Sequence, residues 1–576
     1  MYHKEGIYFM QFTFLKNKDF KKIATVVFTM LLFLLVSILV VYQTELYQGK
    51  IWSYLGTSDD RFQMMRVEGL YHSIQRHQYF PIVNMSFMGG FGYIVSVFYS
   101  DFLLYPAAFL RLIGFTSAQT LFGFYLLMNF LTFGISFLCF HKISKRYFNS
   151  LIFSFIYTLS TYRLHNLIFR HDFGEVGAML FLPIAMLGIY EIFYGDHKNW
   201  LYLVFGMTGI IYSHAISPIL VAVLIIIIAA CQFKELKATH KRLWSLLWAT
   251  LCSMLLSLAY FLPMLEQVKH TKFILGQSKG ILTSGALDLA DLTNWSLDNT
   301  IGQPNVGVIL ILTTLVIIVS FTKIKNRTLR QFSLIGVMML LCSTKIFPWF
   351  IVNHTPLKMM QYPWRFDMIA TILLAIVVAY DPLNIFSNKL AKSGLIIATV
   401  LLALSASARL VDGSALQLMP HAEYNQLDTY SIGAGQEYLP KGTKLSELQR
   451  ASHKPKLIKG KAKISDFKQY GTRLSFDFKN AKNAKINLPI IAYYGFQSTQ
   501  SKGKVSALRM DAKHNNLGQV TVNGKGKVIV DYFETTTQKA TRRISFLSLL
   551  IIIAIVFINK LNLVDFDRID GLRTKK

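Results

Sequence analysis

Long apolar stretches alternate with short polar ones over most of the 576-residue chain. "IATVVFTMLLFLLVSILVVY", "ILVAVLIIIIAACQF" and "VGVILILTTLVIIVSF" contain no charged residue. Such runs predict membrane-spanning helices. About twelve spans are expected, near 22–43, 118–140, 148–163, 176–194, 199–213, 215–232, 243–263, 303–322, 329–346, 363–381, 393–411 and 544–561. The first is too long for a signal-peptide core and no small-residue cleavage site follows it, so it is expected to stay as an anchor. A further apolar segment, 91–115, carries Asp101, Pro106 and several tyrosines. It is expected to be re-entrant or to lie along the membrane rather than cross.

After residue 411 the pattern changes. Residues 412–543 are hydrophilic, and "RLSFDF", "AKINLPIIAYY", "KVSALRMD" and "GQVTVNGKGKVIVDYF" read as strands, some of them separated by turn residues. A small antiparallel β-domain of sandwich type is expected here. The chain therefore divides into a multi-span region (1–411, with a first outer loop at 44–117), a β-rich domain (412–543), and a last helix with a tail (544–576).

Composition supports a polytopic α-helical membrane protein: 53% hydrophobic residues, 16% charged and a mean hydropathy of +0.39. A soluble chain of this length would need more charge to cover its surface. The net charge of +29 does not call for nucleic acid, because cytoplasmic loops of membrane proteins collect Lys and Arg. "KNKDFKK", "HKISKR", "KELKATHKR", "KIKNR" and the terminal "RIDGLRTKK" are therefore expected inside. The remaining loops, and the β-domain with them, are then expected outside the cell membrane. Between Ala451 and Val530 stand 16 Lys plus Arg against 3 Asp plus Glu. On the outer face the positive-inside effect does not explain that excess. A solvated surface and contact with an anionic polymer or lipid headgroups account for it equally well. Cys139, Cys231, Cys252 and Cys342 lie in or beside apolar runs without metal-ligand spacing, so neither disulfides nor cysteine-bound zinc is expected.

The candidate chemistry crowds the expected outer side. "GTSDDRFQMMRVEGLYHSI" offers Asp59 and Asp60, and a helix starting there puts Asp59, Gln63, Arg66 and Leu70 on one face. A carboxylate at that point either caps the helix or serves as a general base toward an attacking hydroxyl. "TYRLHNLIFRHDFGEVGAMLFLPI" packs Arg163, His165, Arg170, His171, Asp172 and Glu175 between two apolar runs. Arginines here are either interfacial anchors or ligands for a phosphate, and Glu175 is placed to orient one of them. His214 in "YSHAIS" and the pair Trp364 and Arg365 in "MMQYPWRFDMIA" end apolar runs on the same side. A lone histidine is more often structural, and Trp at such a boundary often belongs to the aromatic belt. Binding a sugar or a phosphate is the alternative for these three. No phosphate-binding loop or dinucleotide fingerprint occurs in a suitable context, and no convincing metal cage is visible.

Taken in order, these stretches resemble the YfhO-like bacterial membrane proteins of the GT-C class of glycosyltransferases. The family register of Asp, Phe three later, His four later and Arg seven later reads here as Asp59, Phe62, Gln63 and Arg66, with Gln at the His position. "GGFGYIVSVFYSD", "YTLSTYRL…FRHDFGE", "YSHAIS", "QYPWRF", "GQEYLP" and "AYYGF" are similar to later family blocks. The resemblance implies sugar transfer on the outer face from a polyprenyl-phosphate carrier to a surface polymer such as lipoteichoic acid. It also implies a separate membrane enzyme that makes the lipid-linked sugar. It favours Asp59 over Asp60 as the base, keeps Asp101 in reserve, and leaves a divalent metal possible. Related sequences carry names invoking tetrahydropterin synthesis, yet no histidine set suited to that chemistry stands out. The rival reading is a transporter or flippase for a lipid-linked or anionic envelope substrate, with the same arginines along its path. Internal repeats and broken midplane helices, common in transporters, are not evident.

Overall fold

The computed structural model describes residues 17–43, 51–53, 59–275, 282–352, 355, 358, 360–412, 417–433, 435–499 and 504–560. Part of the expected first outer loop and the basic C-terminal tail lie outside them.

Among the described residues, seven helices are long and apolar enough to cross a membrane. They are Phe20–Val41, Ser117–Ser144, Phe173–Phe193, His240–His270, Pro363–Tyr380, Lys389–Leu410 and Thr536–Ile558. The other five expected spans are also helices, but shorter: Tyr147–Thr158, Leu201–Ser213, Ser217–Cys231, Val308–Ser320 and Arg327–Cys342. The expected span 148–163 is broken. Its helix stops at Thr158, a short helix Thr161–Leu164 follows, and His165–Phe169 forms a π-turn. Such turns inside helical segments recur at functional sites.

Segment 91–115 is not one helix. It is built from Val95–Phe98, a 3₁₀ turn Phe102–Leu104, and Tyr105–Leu112. Pro106 sits in the first turn of the last piece, where its missing N–H costs nothing. None of these pieces is long enough to span a bilayer.

Strands β1 (Ile51–Ser53) and β2 (Gln417–Met419) pair antiparallel and tie the first loop to the segment after the helix Lys389–Asp412. The expected sandwich is instead one five-stranded antiparallel sheet. Its strands are β3 (Lys456–Tyr470), β4 (Arg473–Ile491), β5 (Phe496–Ser498), β6 (Arg509–Asp511) and β7 (Leu517–Tyr532). They run β3-β4-β7-β5, with β6 also on β7.

Connectivity shows that this sheet is folded double. Ala492 N–H donates to the Asn516 carbonyl at one end of β7, and the Gly495 carbonyl accepts from Phe533 N–H at the other. Three residues bridge at most about 11 Å. A straight strand from 516 to 533 would run roughly 55 Å. The long strands therefore bend back on themselves and enclose Phe476, Phe478, Ile486, Leu488, Val520 and Val528. One sheet thus supplies two layers. The same apolar cluster takes in Phe87, Phe91 and Tyr93, so the sheet rests on the segment before 95. Gln267 Nε2 bonds the Tyr494 carbonyl at 2.8 Å, and β7 leads directly into the helix Thr536–Lys560.

Candidate active site

The site begins with a chain reversal. After the π-turn, His171 adopts φ +56°, rare for a residue other than glycine. Asp172 then caps the helix Phe173–Phe193, its Oδ1 accepting from Glu175 N–H at 3.0 Å. The Asp-Phe-Gly-Glu order matches a capping box, but the Glu175 side chain is engaged elsewhere. Its Oε1 accepts from the Tyr162 hydroxyl, and its Oε2 faces Arg170 at 3.1 Å and Arg365 at 3.6 Å. Arg170 also bridges to Asp172 Oδ2 at 3.0 Å, and Tyr99 donates to Asp172 Oδ1 at 2.8 Å. The Arg170 guanidinium lies 4.7 Å from the centre of the Trp364 ring.

Two carboxylates and two guanidiniums thus interlock, which lets charges sit in a largely dry setting. Exposure differs sharply among them: 19% for the Arg170 side chain against 6% for Asp172, 1% for Glu175 and 6% for Arg365. Arg170 is the cation of this group that a ligand reaches most readily. Burial raises the Asp172 carboxyl, but Arg170, His214 and Arg365 outweigh it and hold the group well below the usual range. Burial also lowers the His214 imidazole, whose Nδ1 lies 2.8 Å from Ser217 Oγ.

Asp59 enters from the first loop. Its N–H donates to the Arg170 carbonyl at 3.3 Å, and its own carbonyl accepts from Gln63 N–H as the helix Asp60–Gln75 begins. The carboxylate makes no capping bond, which leaves it available for other work. Burial raises it to about 7; Asp172, Glu437 and Asp60 push the same way, and Arg170 pulls down. Asp60 points elsewhere: it is 1% exposed and lies against Tyr424.

Some predicted residues are not brought together with this group. Arg66 is buried and bonds Gln63, the carbonyls of Tyr99 and Ser100, and Asp101 at 3.0 Å. Arg163 is fully buried against Asn129, Thr132 and the carbonyls of Met128 and Thr158. Both turn their terminal guanidinium nitrogens to partners within the fold, and only Nε of each is left without one among the described residues. Tyr99, Tyr162 and Glu437 were not singled out from sequence. Their stretches "FYSD", "TYRL" and "GQEYLP" gave the available signal.

A divalent cation has a nominal place here, since ligand atoms of Asp172, Glu175 and His214 lie within 4.8 Å of one another. The donor set does not fit one. All four carboxylate oxygens already accept from Arg170, Tyr99, Tyr162 or the Glu175 N–H. Two guanidiniums also supply the positive charge that a metal would bring.

The model of a family described as "6-pyruvoyl-tetrahydropterin synthase related domain; membrane protein" matches residues 97–418, more than half of the chain. The chain belongs to this family. The region matched to this pterin-synthase-related membrane family carries Tyr99, Asp101, Arg163, Arg170, Asp172, Glu175, His214, Trp364 and Arg365. Asp59, Asp60, Glu437 and the folded sheet lie outside it. Among solved structures, the chain is similar to the arabinofuranosyltransferase AftD from mycobacteria, at 13% identity and a TM-score of 0.40, covering 66% of this chain and 26% of that one. The chain thus spans about a quarter of that protein's length. No curated protein matches it.

Proposed function

We propose that the protein is an integral-membrane glycosyltransferase of GT-C type. It moves a sugar from a polyprenyl-phosphate donor to a hydroxyl of a cell-surface polymer on the outer face. The observation that carries this reading is the meeting of Asp59, poised near pH 7, with Arg170, the accessible cation of the interlocked group. A base and a phosphate-binding cation are the two groups such a transfer needs.

The donor's lipid chain stays in the bilayer and its phosphate meets Arg170, with Arg365 behind it. The acceptor oxygen attacks the anomeric carbon as the carbon–oxygen bond to phosphate breaks. Asp59 takes the acceptor's proton, and the polyprenyl phosphate leaves with the bonding electron pair. The anomeric carbon inverts. Asp172 and Glu175 position Arg170, and Trp364 supports its flat face. His214 stands beside Asp172 and Glu175 as a further polar group.

The test is sugar transfer by purified protein in lipid, using short-chain polyprenyl-phosphate sugars and a crude wall-polymer acceptor. Wild type should transfer and Asp59→Asn should not. Transfer that survives Asp59→Asn would move the base to Asp60 or Asp101. Passage of the lipid-sugar across the bilayer without transfer would replace the enzyme with a flippase.

A further inference from the structure

The outer face of the folded sheet carries a ladder of lysines. β4 contains the triplet repeat Lys-Asn-Ala-Lys-Asn-Ala-Lys from Lys479 to Lys485. A regular strand would send these lysines alternately to its two faces. Here Asn480 and Asn483 take φ +53° and +42°, and the register with the neighbouring strands slips at each. Each slip is a bulge that absorbs one residue. Every third residue therefore returns to the same side: Lys479, Lys482 and Lys485 are exposed, and Ala481 and Ala484 are buried.

On β3, Lys459, Lys461 and Lys463 stand directly opposite, pairing with Lys485, Lys482 and Lys479 respectively. Gly460 permits this register, because a Cβ there would meet the Asn483 carbonyl oxygen at 2.6 Å. Like charges placed directly opposite destabilise a sheet. Three such pairs in succession, with no carboxylate among the described residues in ion-pair contact with any of the six, call for an external anion.

We infer that this ladder binds a linear polyanion with phosphate groups along its backbone. Successive pairs rise by two strand residues, about 6.6 Å, so a chain with one phosphate per such interval meets one lysine pair after another. The place of the ladder argues against a bilayer as the occupant. The ends of the folded strands join the membrane helices, at Tyr494 against His270 and where β7 leads into Thr536–Lys560. The ladder sits at the bend, near Gly524, with Lys525 and Lys527 beside it on β7. That bend is roughly 20 Å away along the strands. The inference stands on the sheet alone, and a failed transfer assay would leave it untouched.

The experiment uses the full chain in phosphatidylcholine nanodiscs and a fluorescent synthetic poly(glycerol phosphate), with orthophosphate as the monomer control and phosphatidylglycerol liposomes as the membrane arm. Lys479→Gln/Lys482→Gln/Lys485→Gln should weaken polymer binding about tenfold or more and lower the salt slope of log affinity by about three. The matching Arg triple should bind like wild type, and the Gln triple on Lys459, Lys461 and Lys463 should reproduce the loss. Both Gln triples should melt at or above the wild-type temperature at low salt, because repulsion is relieved. Unchanged polymer binding by the Gln triples would overturn the inference. So would binding of orthophosphate as tight as that of the polymer, or a loss confined to the liposome arm.

Discussion

Arg170 lays its guanidinium over the Trp364 indole at 4.7 Å, while Arg365, the next residue after Trp364, reaches back to Glu175 at 3.6 Å. Two segments far apart in sequence are thus joined by a crossed pair of contacts. Trp364 holds the accessible arginine flat, and Glu175 holds both arginines together.

A cation–π contact of this kind is worth about 0.5–2 kcal/mol, or roughly 2- to 30-fold in an equilibrium constant. Trp364→Ala is therefore expected to raise KM for the lipid-phosphate donor within that range, with a smaller effect on kcat. Trp364→Phe keeps a ring face and should recover most of the loss. Donor saturation curves for the three proteins decide it; a change in kcat alone would place Trp364 at the reacting atoms instead.

Asp59 makes a prediction with two signs. As a base with a pKa of about 7, it should give transfer that rises with pH through that value and levels above it. As a carboxyl raised on folding from 3.8 to about 7, the folded state holds its proton more tightly than the unfolded state. Stability from this group is thus full below pH 3.8, declines as pH rises to about 7, and stays low beyond. Asp59→Asn should abolish transfer yet raise the melting temperature, with a gain that grows over that window and is flat above it. Equal gains at pH 4 and pH 8 would show that ionisation is not the cause.

The helices were legible because an apolar run long enough to cross a bilayer has few other uses. The charged stretch from Thr161 to Ile184 was legible because ionisable groups beside such runs are costly unless paired or solvated. The pairing itself was not legible. Arg66 and Arg170 look equivalent as arginines near an apolar boundary, yet Arg66 is absorbed by Asp101 and two carbonyls while Arg170 keeps an open side. That difference depends on segment 91–115 breaking at Tyr99 to present carbonyls, a long-range outcome that hydropathy does not encode. The folded sheet was hidden for a related reason. Alternation reports strands, but the αL asparagines and the short link 492–495 decide that they bend.

Chelation offers a third check. A resident cation would have to displace Arg170 and Arg365 from Asp172 and Glu175, leaving two guanidiniums beside a dication. Transfer should therefore be unchanged after extensive treatment with EDTA, and added Mg²⁺ or Mn²⁺ should not raise it. Arg365→Ala should leave this insensitivity in place, because Arg170 still bridges both carboxylates. Loss of transfer on chelation, with recovery on adding metal, would require the arginines to be rearranged in the working state.

The pair Arg66–Asp101 should behave as structure rather than as chemistry. Arg66 is 1% exposed and four of its contacts converge from Gln63, Tyr99, Ser100 and Asp101. Removing one partner of a buried pair strands the other charge and costs about 3–5 kcal/mol. Asp101→Ala should therefore lower the melting temperature markedly. Replacing both partners, as Arg66→Met with Asp101→Leu, should restore much of it, because no charge is left stranded. Arg170→Ala should end transfer as well as lower the melting temperature, because it takes the cation from two buried carboxylates. A double-mutant cycle on Arg66 and Asp101, read by melting and by transfer in parallel, separates the two roles. If the double variant regained stability but not transfer, the pair would join the site, Arg66 as a phosphate ligand or Asp101 as a base, and the single variants of the cycle say which.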